Sequence, residues 1–448
     1  MTTASIPLAP HSLPLLGHAI PLLRDPLKFT SSLPGHGKLV RIQLGPFSVL
    51  MVCDPALTRQ VLLDDRTFDK EGPVIERIRE VAGDGLSTCP HSRHRRQRRL
   101  CQPSFQQERF RSYAEVFAAV AEDTASSWHD GQVIDVAREM MSLTAKATME
   151  TIFSGSLPPE TVQQSIDDTT ALVRGVFRRM MTPSSLNWVP FPHNRRYDQA
   201  RARLLGVVGH IIANRRADQA DHGDLMSSLL AAVDTESGED GTRLTDAELS
   251  DQVLTFFIGG TETTANTLAL ALYELAAHPD VANALQAEIA GSWTGSAAAD
   301  AKLPAADGLA GRVLSETLRL YPPAWLFTRT VTEDIELGDL QLAAGSVVAV
   351  SPYLIQRLPG LYENPDGFDP GRWLDAPPDR LAYLPFGAGA RKCIGDRFAV
   401  TEASLALWAI QSRWRVVPVS GKPFRPSVES TINARGLKLR VVDRKSQP

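Results

Sequence analysis

The stretch Phe386-Gly387-Ala388-Gly389-Ala390-Arg391-Lys392-Cys393-Ile394-Gly395 sets a single cysteine on a glycine-rich loop. Gly387 and Gly389 allow backbone turns that a side chain would forbid, and Gly395 leaves room for a flat ligand against the chain. The run from Ile394 to Ile410 has helical spacing, so the sulfur is expected near a helix N-terminus. Free N–H groups and the helix dipole there favour a thiolate. A thiolate in such a loop is a suitable axial ligand for haem iron.

The segment matches Phe-x-x-Gly-x-Arg-x-Cys-x-Gly at every defined position, and it resembles the haem-binding signature of the cytochrome P450 family. The resemblance implies a haem b cofactor with Cys393 as the iron ligand. It also implies Phe386 beside the sulfur, Gly387 and Gly395 against the ring, and Arg391 paired with a propionate.

Bulk properties are compatible with this. The chain has 448 residues, 43% of them hydrophobic, and can bury an extensive core. A formal net charge of −4 gives no overall drive toward nucleic acid or an anionic membrane. Cys53, Cys89, Cys101 and Cys393 have no C-x-x-C spacing, which suggests neither a zinc site nor a disulfide framework and favours a reducing, cytoplasmic setting. Pro7, Pro10 and Pro14 interrupt the first 23 residues, which carry no basic region followed by an apolar core. No signal peptide or membrane anchor is expected, as in soluble bacterial members of the resembled family.

Leu39 to Leu44 alternates apolar and polar residues, Gly45-Pro46 supplies a turn, and Phe47 to Val52 reads as the return strand. Helical patterns dominate from Phe105 to Leu320, with breaks at 183–192, 234–241 and 291–311. No break is long enough for an interdomain linker. The expected architecture is one domain over 1–448, mainly α with a small β portion from both ends, the single-domain cytochrome P450 fold with a long central helix over the haem.

That helix starts at Thr245 and Glu248, which have capping-box spacing, and continues through an apolar run into Gly259-Gly260-Thr261-Glu262-Thr263-Thr264. Glycines, an acid and alcohols weaken a core helix, and such conflict is expected where function overrides stability. The segment resembles the family's central-helix motif, with Gly260 over the haem. The resemblance implies a kink, and makes Glu262 and Thr263 the acid and alcohol that deliver protons to dioxygen.

Glu316 and Arg319, with Arg372 in Phe368-Asp369-Pro370-Gly371-Arg372-Trp373, resemble the family's buried structural triad. His91 to Arg99 holds five arginines. Read alone, the run suggests phosphate or nucleic acid binding, or a solvated face. By resemblance His94 and Arg98, at i, i+4, bind a propionate, and Arg329 binds another. The remaining arginines, with Lys392, are expected to dock an acidic electron donor.

Candidate substrate contacts are Ile75, Ile78, Phe177, Met181, Phe256, Gly260, Ala324, Trp325, Phe327, Thr431 and Ile432, with no acid or base to pair with a charged substrate. An apolar substrate follows. Pro14-Leu15-Leu16-Gly17-His18, Gln102-Pro103-Ser104-Phe105 and Ser351-Pro352-Tyr353 resemble actinobacterial members that oxidise cyclic terpenes, so a sesquiterpene-like substrate leads. Asp64, Asp65 and Asp69 read as an acidic loop. The chain ends 55 residues after Cys393 without a flavin or iron–sulfur signature. The expected enzyme is therefore a monomeric haem-thiolate monooxygenase that uses O2 and electrons from a separate ferredoxin and ferredoxin reductase. A peroxide-driven haem enzyme and a non-catalytic haem sensor are the rival readings.

Overall fold

The computed structural model describes residues 6–154, 157–182, 187, 189–218, 220–237, 242–292, 308–374, 381–419 and 424–444. The predicted breaks at 183–192, 234–241 and 291–311 fall partly outside these residues, as do the side chains of Phe177 and Met181.

The predicted hairpin is present. Strands β1 (Leu39–Leu44) and β2 (Phe47–Val52) pair antiparallel, closed by Leu44 opposite Phe47. Gly45 sits in the turn at φ +57°, a conformation open to glycine. Three further strands complete the sheet: β3 (Phe68–Asp69), β4 (Phe327–Val331) and β5 (Val347–Val350), in the order β1-β2-β5-β4-β3. β5 runs parallel to β2, with Val49 opposite Val347, so the two ends of the chain share one sheet. Beneath it lies an apolar cluster that includes Leu33, Val52, Phe68, Val348 and Leu384.

Helices form the larger body. The central helix, Asp246–Ala277, has 32 residues, roughly 48 Å at 1.5 Å per residue. Its N-terminus carries the predicted capping box: the Glu248 amide donates to Thr245 Oγ1 (3.2 Å), and the Thr245 amide donates to Glu248 Oε2 (3.0 Å). The helix is buried on most sides, packing against Val136–Phe153, Leu309–Leu320 and Asp396–Arg413. This explains why its sequence is apolar almost all round until residue 259.

The helix continues across Gly259 to Thr264, the stretch where the motif implies a kink. Hydroxyls meet carbonyls throughout this stretch. Thr261 donates to the Phe257 carbonyl, Thr263 to Gly259 and Thr267 to Thr263, while Thr144 from the neighbouring helix donates to Thr261. The expected competition for carbonyls is thus borne out while the helix remains continuous.

Candidate active site

The Cys393 loop is shaped by two glycines with different constraints. Gly389 has φ +69°, and a Cβ there would stand 2.3 Å from the Leu62 carbonyl oxygen. Gly387 has φ +68°, but a Cβ would meet only the Phe327 ring, at 3.9 Å. At Gly395 the nearest atoms to such a Cβ are Phe105 and Phe398, at 3.8 and 4.0 Å. Gly387 and Gly395 line a cavity, so a side chain on either would intrude on whatever fills it.

The Cys393 amide donates to the Phe386 carbonyl (2.9 Å), which folds the loop back on itself and leaves the sulfur open to the cavity. Burial by the surrounding protein pushes the thiol pKa up; the Gly395 amide, donating to the sulfur, pulls the other way. The helix Asp396–Arg413 begins one residue later, as predicted.

Opposite the loop, Gly259, Gly260 and Thr263 of the central helix line the same cavity, of about 340 Å³. Phe256, Ala324 and Phe327 supply apolar wall. The cleft thus brings the thiol and the Thr263 hydroxyl, together with Thr148, Thr255, Thr264 and Thr267, to one largely apolar space.

Along one side of the cleft stand Lys70, His94, Arg98, Arg329 and Arg391. Arg329 is 7% exposed, and among the described residues its guanidinium makes one hydrogen bond, to the Thr328 carbonyl (2.8 Å). Burial, then repulsion from Arg391, pushes its pKa down to about 10. Lys70 is pushed down to about 7 by burial and by Arg329 and Arg391, and the buried His94 ring to about 3 by burial, Arg391 and Lys70. Arg98 donates to the Lys392 carbonyl (2.6 Å) and to Gln102 (3.0 Å). The positive charges of Arg98 and Arg329, with Lys70 beside them and the neutral His94 ring as a further donor, call for an anionic ligand. A planar dicarboxylate that also binds a thiolate fits the set, and haem is such a group.

Arg391 is the exception. Its guanidinium donates to Asp65 (3.1 Å), Asp69 (2.8 Å) and the Cys89 carbonyl (2.7 Å). The acidic loop therefore ties the cysteine loop to β3 through this arginine, which also lines the cavity. Lys70 had no signal in the sequence: a lone lysine between Asp69 and Glu71 belongs to no pattern.

The acid and alcohol of the central helix part company. Thr263 lines the cavity; Glu262 does not, and its Oε1 accepts a hydrogen bond from Thr431 Oγ1 (2.8 Å). Burial pushes the Glu262 pKa up to about 7, against the lowering effect of that hydrogen bond.

Of the expected substrate contacts, Phe256, Gly260, Ala324 and Phe327 line the cavity. Trp325 does not: it packs in the core and donates to the Glu429 carbonyl (3.3 Å). Thr431 is occupied by Glu262, and Ile432 is fully buried in the main core. Ile75 is buried and Ile78 half-buried in the helix Pro73–Ala82, both away from this cavity. None of these five lines the cavity, since position along the chain does not determine which way a side chain turns.

Glu316 and Arg319, both fully buried, form a bidentate pair at 2.8 Å. Arg372 reaches Glu316 at 3.3 Å, Trp373 Nε1 donates to it at 3.0 Å, and Arg319 also binds the carbonyls of Gln356, Pro365 and Gly367. The arginine helix, His91–Cys101, is less free than expected. Arg93 pairs with Asp84 (2.7 Å), Arg96 with Glu248 (2.6 Å), and Arg99 with Asp234 (3.0 Å) and Glu236 (2.9 Å). Lys392 pairs with Asp396, while Arg95, 81% exposed, touches Glu236 only at 3.5 Å.

A thiol in a glycine cradle beneath a long helix, ringed by buried cations, defines a haem-thiolate protein, and the chain belongs to the cytochrome P450 family, whose profile matches residues 7–440. Its cofactor is haem and it is a monooxygenase of that family. The chain is 43% identical over 424 residues to cyclooctatin synthase of Streptomyces melanosporofaciens, covering 93% of this chain and 91% of the relative. It is 41% identical to pentalenene oxygenase of Streptomyces avermitilis over 429 residues, 94% of each, and 42% identical to cyclooctat-9-en-7-ol 5-monooxygenase of Streptomyces melanosporofaciens over 405 residues, 89% of this chain and 86% of the relative. The crystal structure of the cytochrome P450DA haem domain superposes with a TM-score of 0.87 at 28% identity, covering 99% of both chains. Among the described residues no helix is long and apolar enough to cross a membrane.

Proposed function

We propose that the protein, one domain over 1–448, oxidises a C–H bond of a cyclic terpene, with Cys393 as the iron ligand and Thr263 as the alcohol on the substrate side. The observation that carries this is the single cavity joining Cys393 to Thr263 with Phe256, Ala324 and Phe327 as its walls. Such walls hold a hydrocarbon by shape and exclude water. The names of the relatives support the class: one acts on pentalenene, another on cyclooctat-9-en-7-ol.

In this reading His94, Arg98, Arg329 and Lys70 hold the propionates, Phe386 packs beside the sulfur, and Gly387 and Gly395 make room for the ring. Haem, when bound, supplies O2 activation and the oxidising power. The chain supplies the rest. Thr263 Oγ1, which donates to the Gly259 carbonyl, holds a proton at the cleft wall. Glu262, with a pKa near 7, both gives and takes protons at neutral pH. Electrons come from a ferredoxin and its reductase, docking where Arg95 is exposed.

The direct test is the reduced carbon monoxide difference spectrum, followed by titration with cyclic terpenes. A red-shifted band that Cys393→Ala abolishes, with a spin shift on adding terpene, is expected. A band without any terpene response overturns the substrate class, and no band in folded, haem-loaded protein overturns the ligand. Thr263→Ala should divert electrons from product to peroxide by tenfold or so; no change would favour a sensor or peroxide-driven enzyme. Arg95→Glu should slow reduction by ferredoxin at low salt, and an unchanged rate removes Arg95 from the docking site.

A further inference from the structure

Glu262 is seated by two residues from different parts of the chain. Thr431 comes from the C-terminal hairpin formed by Ser427–Val428 and Ile432–Asn433, 169 residues further on. Its one hydroxyl proton goes to Glu262 Oε1 at 2.8 Å, and its oxygen accepts from Asn266 Nδ2 at 3.2 Å. Asn266 lies one turn beyond Glu262, on the same helix face. Both seating residues are buried, while the Thr431–Glu262 bond is part-buried, so water competes with it only in part.

Thr263, the next residue, projects about 100° further round the helix, and it alone of the pair lines the cavity. The charged groups facing Glu262 are Glu429 and Arg435 from the hairpin and Arg174 from the helix Pro159–Met181. Glu429 and Arg435 form an ion pair, Arg435 half-exposed, and the buried Ser430 hydroxyl between Glu429 and Thr431 has no partner among the described residues. Polar side chains therefore lie along the hairpin between the half-exposed Arg435 and Glu262.

We propose that Thr431 and Asn266 are positioning residues that seat Glu262 against the C-terminal hairpin, making that hairpin the side from which Glu262 exchanges protons with solvent. This rests on the reading of Glu262 as a proton carrier for the reaction. In this reading Thr431 holds the acid through its hydroxyl.

The sign of the effect is fixed by chemistry. A hydroxyl donating to a carboxylate stabilises its charged form, so removing it raises the pKa. In the haem-loaded protein, the infrared band of the protonated Glu262 carboxyl, identified by its loss in Glu262→Gln, is expected to titrate near neutrality. In Thr431→Val the midpoint should rise by about one pH unit, and Thr431→Ser should restore it; the product formed per electron should fall in Thr431→Val and recover in Thr431→Ser. An unmoved midpoint in a folded Thr431→Val protein overturns the seating. A shifted midpoint, with product per electron unchanged in both Thr431→Val and Glu262→Gln, overturns the proton-carrier reading and the proposal with it, while leaving the hydrogen bond in place.

Discussion

Arg329 carries a positive charge into a nearly closed space with a single hydrogen bond, so it should behave oppositely with and without the cofactor. In haem-free protein, Arg329→Leu removes a poorly satisfied buried cation and should stabilise the fold by about 1–3 kcal/mol. In holoprotein the same change removes a propionate partner and should speed haem loss to a haem acceptor. Urea unfolding of the one and haem-transfer rates of the other check the two signs. Cys393, His94, Arg98, Arg329 and Thr263 could be found in the sequence because each sits at a fixed spacing within a short motif. Lys70 could not, and Thr431 reads in the sequence only as a substrate contact, because their partners come from across the fold: Lys70 meets Arg329 and Arg391 only once β3 is placed, and Thr431 meets Glu262 only when the last hairpin folds back.

At the scale of elements, the helix Leu309–Leu320 is fixed by its buried acid. Glu316 accepts hydrogen bonds from Arg319, Arg372, Trp373 and the Asp369 amide, tying the helix to the segment that precedes the cysteine loop. Glu316→Ala leaves Arg319 buried and uncompensated, at a cost of about 3–5 kcal/mol. The urea midpoint should fall, with haem occupancy falling in parallel. The arginine helix shows why charge runs mislead when read alone. Four of its five arginines meet carboxylates on other segments at 3.0 Å or closer or lie inside the cleft, and only Arg95 stays exposed with a single long contact. Arg99→Glu would face the buried Asp234, so a loss of stability there would not report on docking. The hairpin and the capping box were legible because their signals are local.

For the molecule as a whole, Glu402 on the helix Asp396–Arg413 is the plainest electrostatic cost. It is 1% exposed, and neither carboxyl oxygen has a hydrogen-bond partner among the described residues. Burial raises its pKa well above the ordinary 4.5. A carboxyl held protonated in the fold but free to ionise when unfolded loses stability as pH rises, beginning near 4.5. Glu402→Met should therefore stabilise the protein at neutral pH by about 1–3 kcal/mol. Its advantage in thermal unfolding should widen as pH rises above about 4.5 and shrink to a constant value in acid; a difference independent of pH would mean that burial does not raise the Glu402 pKa.

β2 ends at Val52, while β5, its parallel neighbour, spans Val347–Val350. During synthesis the first hairpin therefore leaves the ribosome with one edge unpaired, and it waits while nearly 300 residues follow. At ordinary elongation rates that interval is on the order of tens of seconds. An open strand edge of that duration invites wrong partners. The thiol emerges later still, so haem can be captured only after Cys393 has been made, and expression should benefit from chaperone supply before it benefits from extra haem precursor.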